Sequence, residues 1–123
     1  MDFAMMRLED TLLVPVSPSM DDDEAQAFQD AVLVEIKTTE AAGLILDVSA
    51  LPVIDSYMSR IISDTATGAH ILGAKCVVVG MRPAVALTLL QMRRPIAGVA
   101  HASSLSRGLQ KLHQLLRAEE EPL

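Results

Sequence analysis

Two short apolar runs constrain this chain more than any other feature: Gly43-Leu44-Ile45-Leu46-Asp47-Val48 and Cys76-Val77-Val78-Val79-Gly80. Each is nearly continuous in apolar residues and bounded by glycine, the pattern of a strand buried on both faces in a parallel sheet. Between them lies a segment of helical period, with Met58, Ile61, Ile62, Thr65, Ala69 and Leu72 on one stripe. Gly73 follows in the C′ position that glycine favours. Strand, helix and strand in this order predict a β-α-β unit with a right-handed crossover, the first strand near the sheet's centre.

The flanking segments extend this unit. Ala4-Met5-Met6-Arg7-Leu8 and Thr11-Leu12-Leu13-Val14-Pro15-Val16 read as two strands joined by a Glu9-Asp10 turn, with Pro15 restricted to an edge or irregular position. Asp21-Asp22-Asp23-Glu24 then places carboxylates where a helix start favours them, and Ala25, Phe28, Val32 and Ile36 form a single apolar stripe behind it. Pro83 suits the first turn of a short helix running from Ala84 to about Met92, and Pro95 stops it. A strand around Ile96 to Val99 is expected next. Ser103 or Ser104 then caps a last helix with Leu105, Leu109, Leu112 and Leu116 on one face, and a tail over 118–123 is expected to fray. The order β-β-α-β-α-β-α-β-α predicts an α/β fold: one mixed sheet with an antiparallel edge, packed with about four helices, in a single domain spanning 1–123.

Charge and composition exclude several functions. Ten Lys and Arg stand against 16 Asp and Glu, a formal charge of −6 that repels nucleic acid and anionic membrane surfaces. Phe3, Phe28 and Tyr57 are the whole aromatic content, too few to stack bases. No apolar run approaches the roughly 20 residues that span a bilayer. The first residues lack the basic and long apolar parts of a secretory signal, and the lone Cys76 sits in a strand as a small apolar residue without a disulfide partner. A cytoplasmic location is therefore expected.

Catalytic templates fit poorly. The six glycines make neither a Walker A nor a G-x-G-x-x-G loop, and there is no G-x-S-x-G elbow. His70, His101 and His113 have no partners at metal-ligand spacing. Asp21-Asp22-Asp23-Glu24 lacks the alternating ligands of a cation loop. No cofactor and no metal are expected.

What remains is Val53-Ile54-Asp55-Ser56-Tyr57-Met58-Ser59-Arg60-Ile61, which sets a hydroxyl at the start of a helix that follows a buried strand. Loops after the carboxyl ends of parallel strands share one sheet edge, where ligands and partners meet such folds. A phosphoryl group on Ser56 would add up to about two negative charges beside a positive helix end. Alternatively, Asp55 or Ser56 does no more than cap the helix.

Taken whole, the chain resembles the STAS domain family, the fold of anti-anti-sigma factors, and within it the stressosome scaffold proteins. The resemblance rests on Leu44-Ile45-Leu46-Asp47-Val48, on Val53-Ile54-Asp55-Ser56-Tyr57, and on Leu72-Gly73-Ala74-Lys75-Cys76-Val77-Val78-Val79-Gly80-Met81-Arg82-Pro83-Ala84-Val85-Ala86-Leu87-Thr88-Leu89. It implies a regulated serine at Ser56, with Ser59 a weaker second candidate, and a partner-binding edge made by Asp55, Ser56, Tyr57 and Arg82. It also implies a non-enzymatic scaffold that sequesters a switch serine kinase, releases it on phosphorylation, and assembles with larger sensor paralogues of the same fold. The chain departs from the family at Gln91-Met92-Arg93-Arg94-Pro95, where a glycine usually follows the helix. With no sensor segment ahead of the strands, the scaffold is expected rather than a paralogue.

Arg82 follows the strand that ends at Gly80, so its guanidinium is expected on the same sheet edge as Ser56, in position to pair with a phosphoserine. Three readings stand open from sequence: the scaffold, a soluble anti-anti-sigma factor that binds an anti-sigma kinase, and a small-ligand or enzymatic domain using a pocket of His101, Asp55 and Arg82. Whether the chain also forms a homodimer is open as well.

Overall fold

The computed structural model describes residues 3–92 and 99–120. Nine elements follow in the order β1 (Met6–Leu8), β2 (Thr11–Pro15), α1 (Asp22–Thr39), β3 (Gly43–Asp47), α2 (Ser56–Ile71), β4 (Lys75–Val79), α3 (Pro83–Gln91), β5 (Ala100–Ala102) and α4 (Leu105–Glu120). The strands make one sheet in sequence order, β1-β2-β3-β4-β5, with β3 central. β1 runs antiparallel to β2, while β2 through β5 are mutually parallel. Glu9 turns the hairpin in the left-handed region at φ 55°. Pro15 pairs with Asp47 at the end of β2, beyond the three residues that β1 covers, so its missing N–H falls where no β1 partner exists.

Strand alternation divides the core in two. Leu12, Val14, Val16, Leu44, Leu46, Val48 and Val78 line one face, beneath Ala25, Phe28, Val32 and Ile36 of α1, Ile61, Ile62 and Ala69 of α2, and Val85 and Leu89 of α3. On the other face Ile45, Val77 and Val79 meet Leu112 of α4, flanked by half-buried Leu13, Leu109 and Leu116. Three crossovers of one hand, each stepping to the next strand in the same direction, put their helices on one side of the sheet. α4 makes no crossover and covers the side they leave bare. Its backbone lies close to β4 at Gly108, where an added Cβ would collide with the Val79 side chain. Each large apolar side chain wholly buried in these two layers contributes roughly 1.5–3 kcal/mol relative to exposure.

The end of α2 is fixed as its sequence requires. Gly73 adopts φ 94°; its N–H donates to the His70 carbonyl and that of Ala74 to the Ala69 carbonyl, at 3.0 and 2.9 Å. This pair of bonds closes the helix in a Schellman motif.

Two element boundaries differ from the expected ones. β5 is carried by Ala100-His101-Ala102: Val99 precedes the strand, while the expected strand residues Ile96, Ala97 and Gly98, like Pro95, lie outside the described residues. The register Val77↔Ala100 and Val79↔Ala102 sets this strand, and its small alanines face the α4 layer. α4 continues through Glu120 into the segment expected to fray. Its cap is Ser104, whose Oγ accepts from the Arg107 N–H at 3.2 Å.

Candidate functional site

The site is the loop from β3 into α2, at the carboxyl edge of the parallel strands. Two apolar anchors hold it: Leu51 and Ile54 are buried, whereas Val53 between them is 76% exposed. Backbone bonds brace the loop's start, with Val48 N–H donating to the Val79 carbonyl at 3.0 Å and Leu51 N–H to the Val48 carbonyl at 3.0 Å. The Asp47 carboxylate accepts from the Ser49 N–H at 2.9 Å. Gly80, at φ 77°, lies under this turn. A Cβ there would stand 2.9 Å from Ser49 Cβ and 3.2 Å from Asp47 Oδ1, so a larger residue would push the loop outward.

Capping decides the chemistry of the two adjacent polar residues. Asp55 is the N-cap of α2, in extended conformation, and its Oδ1 accepts from the Met58 N–H at 2.7 Å. Ser56 is the first helical residue and is exposed. Asp55 satisfies the cap, and the Ser56 hydroxyl has no hydrogen-bond partner among the described residues. The Ser56 and Tyr57 N–H groups, ahead of Met58 in the first turn, remain for an anion at the positive end of the helix. The first turn of α2 contains no acidic residue.

The other anticipated residues occupy different settings. Ser59 is 4% exposed, inside the core layer and out of an enzyme's reach in the folded chain. Tyr57 is half-buried and turns toward α1, where its hydroxyl donates to the Asp22 carbonyl at 3.1 Å. Beside it a cleft of about 190 Å³ runs between Met20, Asp22, Leu51, Val53, Asp55 and Met58. Arg82 is exposed on the same sheet edge, and its Nε donates to the Ser49 carbonyl at 2.9 Å, bridging the β3–α2 and β4–α3 loops. The bond occupies Nε and leaves the rest of the guanidinium fork facing out.

The catalytic alternatives gain nothing from the geometry. His101 lines a cleft with Arg107 and Lys111 of α4, and neither Asp55 nor Arg82 lines it. Burial pushes the Cys76 thiol up to about 12, the reverse of nucleophile activation. No helix among the described residues is long and apolar enough to cross a membrane.

Sequence and fold comparisons converge with this geometry. The STAS domain family profile matches residues 2–93. The chain belongs to the STAS domain family. A solved serine-to-glutamate variant of RsbS from Moorella thermoacetica superposes with a TM-score of 0.82 at 32% identity, covering 94% of this chain and 97% of that one. A chain from the molecular architecture of the stressosome, a signal integration and transduction hub, gives 0.81 at 33% identity, covering 93% and 99%. Among curated proteins, the RsbT co-antagonist protein RsbRA of Bacillus subtilis is 22% identical over 102 residues. That match takes in 83% of this STAS chain but 37% of RsbRA, so the chain spans little more than a third of that relative.

Proposed function

We propose that this STAS domain is a stressosome-type scaffold without catalytic activity, which holds a switch serine kinase while unmodified and releases it once Ser56 is phosphorylated. The observation that carries the reading is the division of labour at the start of α2: Asp55 caps the helix, and Ser56 presents an unengaged, exposed hydroxyl at its positive end. Likeness to RsbS and to a stressosome chain over more than nine-tenths of the sequence supports the same assignment. Phosphorylation would change the surface charge between Asp55, Tyr57 and Arg82 without breaking the cap, so the fold persists while the docking edge changes. The free part of the Arg82 guanidinium accepts the phosphate in a charge-assisted pair. Sensor paralogues that share the STAS fold are the expected co-assembling partners in the cytoplasm.

Incubation with the switch kinase and ATP, with phosphate mapped by mass spectrometry and kinase binding compared before and after, tests the proposal. Modification at Ser56 with loss of binding is the expected result. Stable binding with no phosphate would leave a passive scaffold. Kinase capture by a single free chain, with no larger assembly, would favour a soluble anti-anti-sigma factor.

A further inference from the structure

The charges of this acidic chain are sorted between the two faces of its sheet. From Asp21 to Glu40 the sequence carries Asp21, Asp22, Asp23, Glu24, Asp30, Glu35 and Glu40 against Lys37 alone. α4, on the opposite face, carries Arg107, Lys111 and Arg117 and no carboxylate before Glu119. Asp22 and Asp23 are exposed on the first turn of α1, and neither Arg107 nor Lys111 has an ion-pair partner among the described residues. Both of these cations, one helical turn apart, line a shallow cleft of about 430 Å³ with His101, Gln110 and Gln114 beside β5.

We infer that this basic cleft between α4 and β5 docks the acidic first turn of α1 from a second copy of the chain. Complementary charge selects the occupant: the cleft presents two cations on a protein of net charge −6, and Asp21-Asp22-Asp23-Glu24, with its three aspartates exposed, is the densest run of carboxylates among the described residues. Gln110 and Gln114 add amide donors for carboxylate oxygens. Because the two patches lie on opposite faces of the sheet, one pair of copies satisfies one contact and leaves an acidic turn and a basic cleft open at its ends. Such a head-to-tail contact is heterologous, so it closes into rings or propagates, and does not stop at an isologous dimer. The inference deepens the assembly part of the proposed function and rests on that part; it requires neither Ser56 nor the kinase.

Sedimentation velocity of the wild-type chain and two charge-reversed variants, Arg107→Glu with Lys111→Glu and Asp22→Lys with Asp23→Lys, provides the test. Circular dichroism checks that each variant is folded. The wild type is expected to self-associate at about 0.02 M salt and to weaken at least about tenfold by 0.5 M. Each variant alone is expected to be monomeric, because its α1 turn and its cleft then no longer carry opposite net charge. An equimolar mixture of the two is expected to recover the wild-type size, since each supplies the complement that the other lacks. Wild-type-like association of either variant, or a mixture that stays monomeric, overturns the inference. Loss of kinase capture by the α4 variant with unchanged self-association also overturns it, assigning the cleft to the kinase. A wild type that is monomeric throughout but co-sediments with a STAS-domain sensor paralogue defeats the self-docking inference and leaves the assembly reading standing; failure of both defeats both.

Discussion

α1 and α2 begin alike and then diverge. Each is capped by an aspartate in extended conformation, Asp21 accepting from the Glu24 N–H at 2.8 Å and Asp55 from the Met58 N–H at 2.7 Å. Beyond the cap, α1 places Asp22, Asp23 and Glu24 in its first turn, whereas α2 places Ser56, Tyr57 and Met58 there. The positive end of α1 therefore carries three carboxylates beyond its cap, whereas that of α2 carries the cap carboxylate of Asp55 alone. The two starts also touch, through the Tyr57 hydroxyl on the Asp22 carbonyl. A helix start crowded with carboxylates thus stands bonded to one whose first turn has none.

The largest effect expected of any change here is on modification. Ser56→Ala should abolish phosphate incorporation by the switch kinase, while Ser59→Ala leaves it intact, as intact-mass spectrometry would read directly. Phosphate retained in Ser56→Ala would break the distinction between the two helix starts. Next come the caps: Asp55→Ala and Asp21→Ala should each cost about 1 kcal/mol in urea denaturation, yet the α2 change alone should slow phosphorylation. Equal slowing by both would mean that the kinase reads the pair of helices rather than α2.

Tyr57→Phe should cost about 0.5–1.5 kcal/mol, the net value of one hydrogen bond. In a double-mutant cycle with Asp21→Ala its effect should be non-additive, because both changes act on the first turn of α1. The smallest shifts concern charge alone. Ser56→Asp should stabilise the fold by about 0.3–1 kcal/mol and Asp22→Asn destabilise it by a similar amount, both fading with added salt. Ser56→Asp should release the kinase only in part, since a carboxylate has less charge and fewer acceptor oxygens than a phosphate.

Much of this was legible in the sequence where packing and periodicity agree. The stripe Ala25, Phe28, Val32 and Ile36 is also the buried set of α1, because an 18-residue helix on a sheet has one way to turn its apolar side inward. The hairpin, the central strand and the Gly73 terminus follow from equally local rules. β5 did not, because alanine and histidine carry no strand signal and the register is imposed by β4. At the site, adjacent Asp55 and Ser56 are both competent caps, and their roles divide only in three dimensions. Ser59 aligns with Ile62, Ala66 and Ala69 on the buried side of α2, a pattern hidden by the polarity of its hydroxyl. The sorting of charge between faces was also invisible until α4 was seen to lie across the sheet from α1.

The sheet ends on both sides in strands of three residues, β1 and β5. Each open edge thus offers a foreign strand a ladder too short to seed continuous cross-strand pairing, the usual route by which crowded β-proteins stick irreversibly. Copies of this domain brought to high local concentration would meet through side chains, whose contacts form and dissolve with charge, and not through backbone, whose fusion would be permanent.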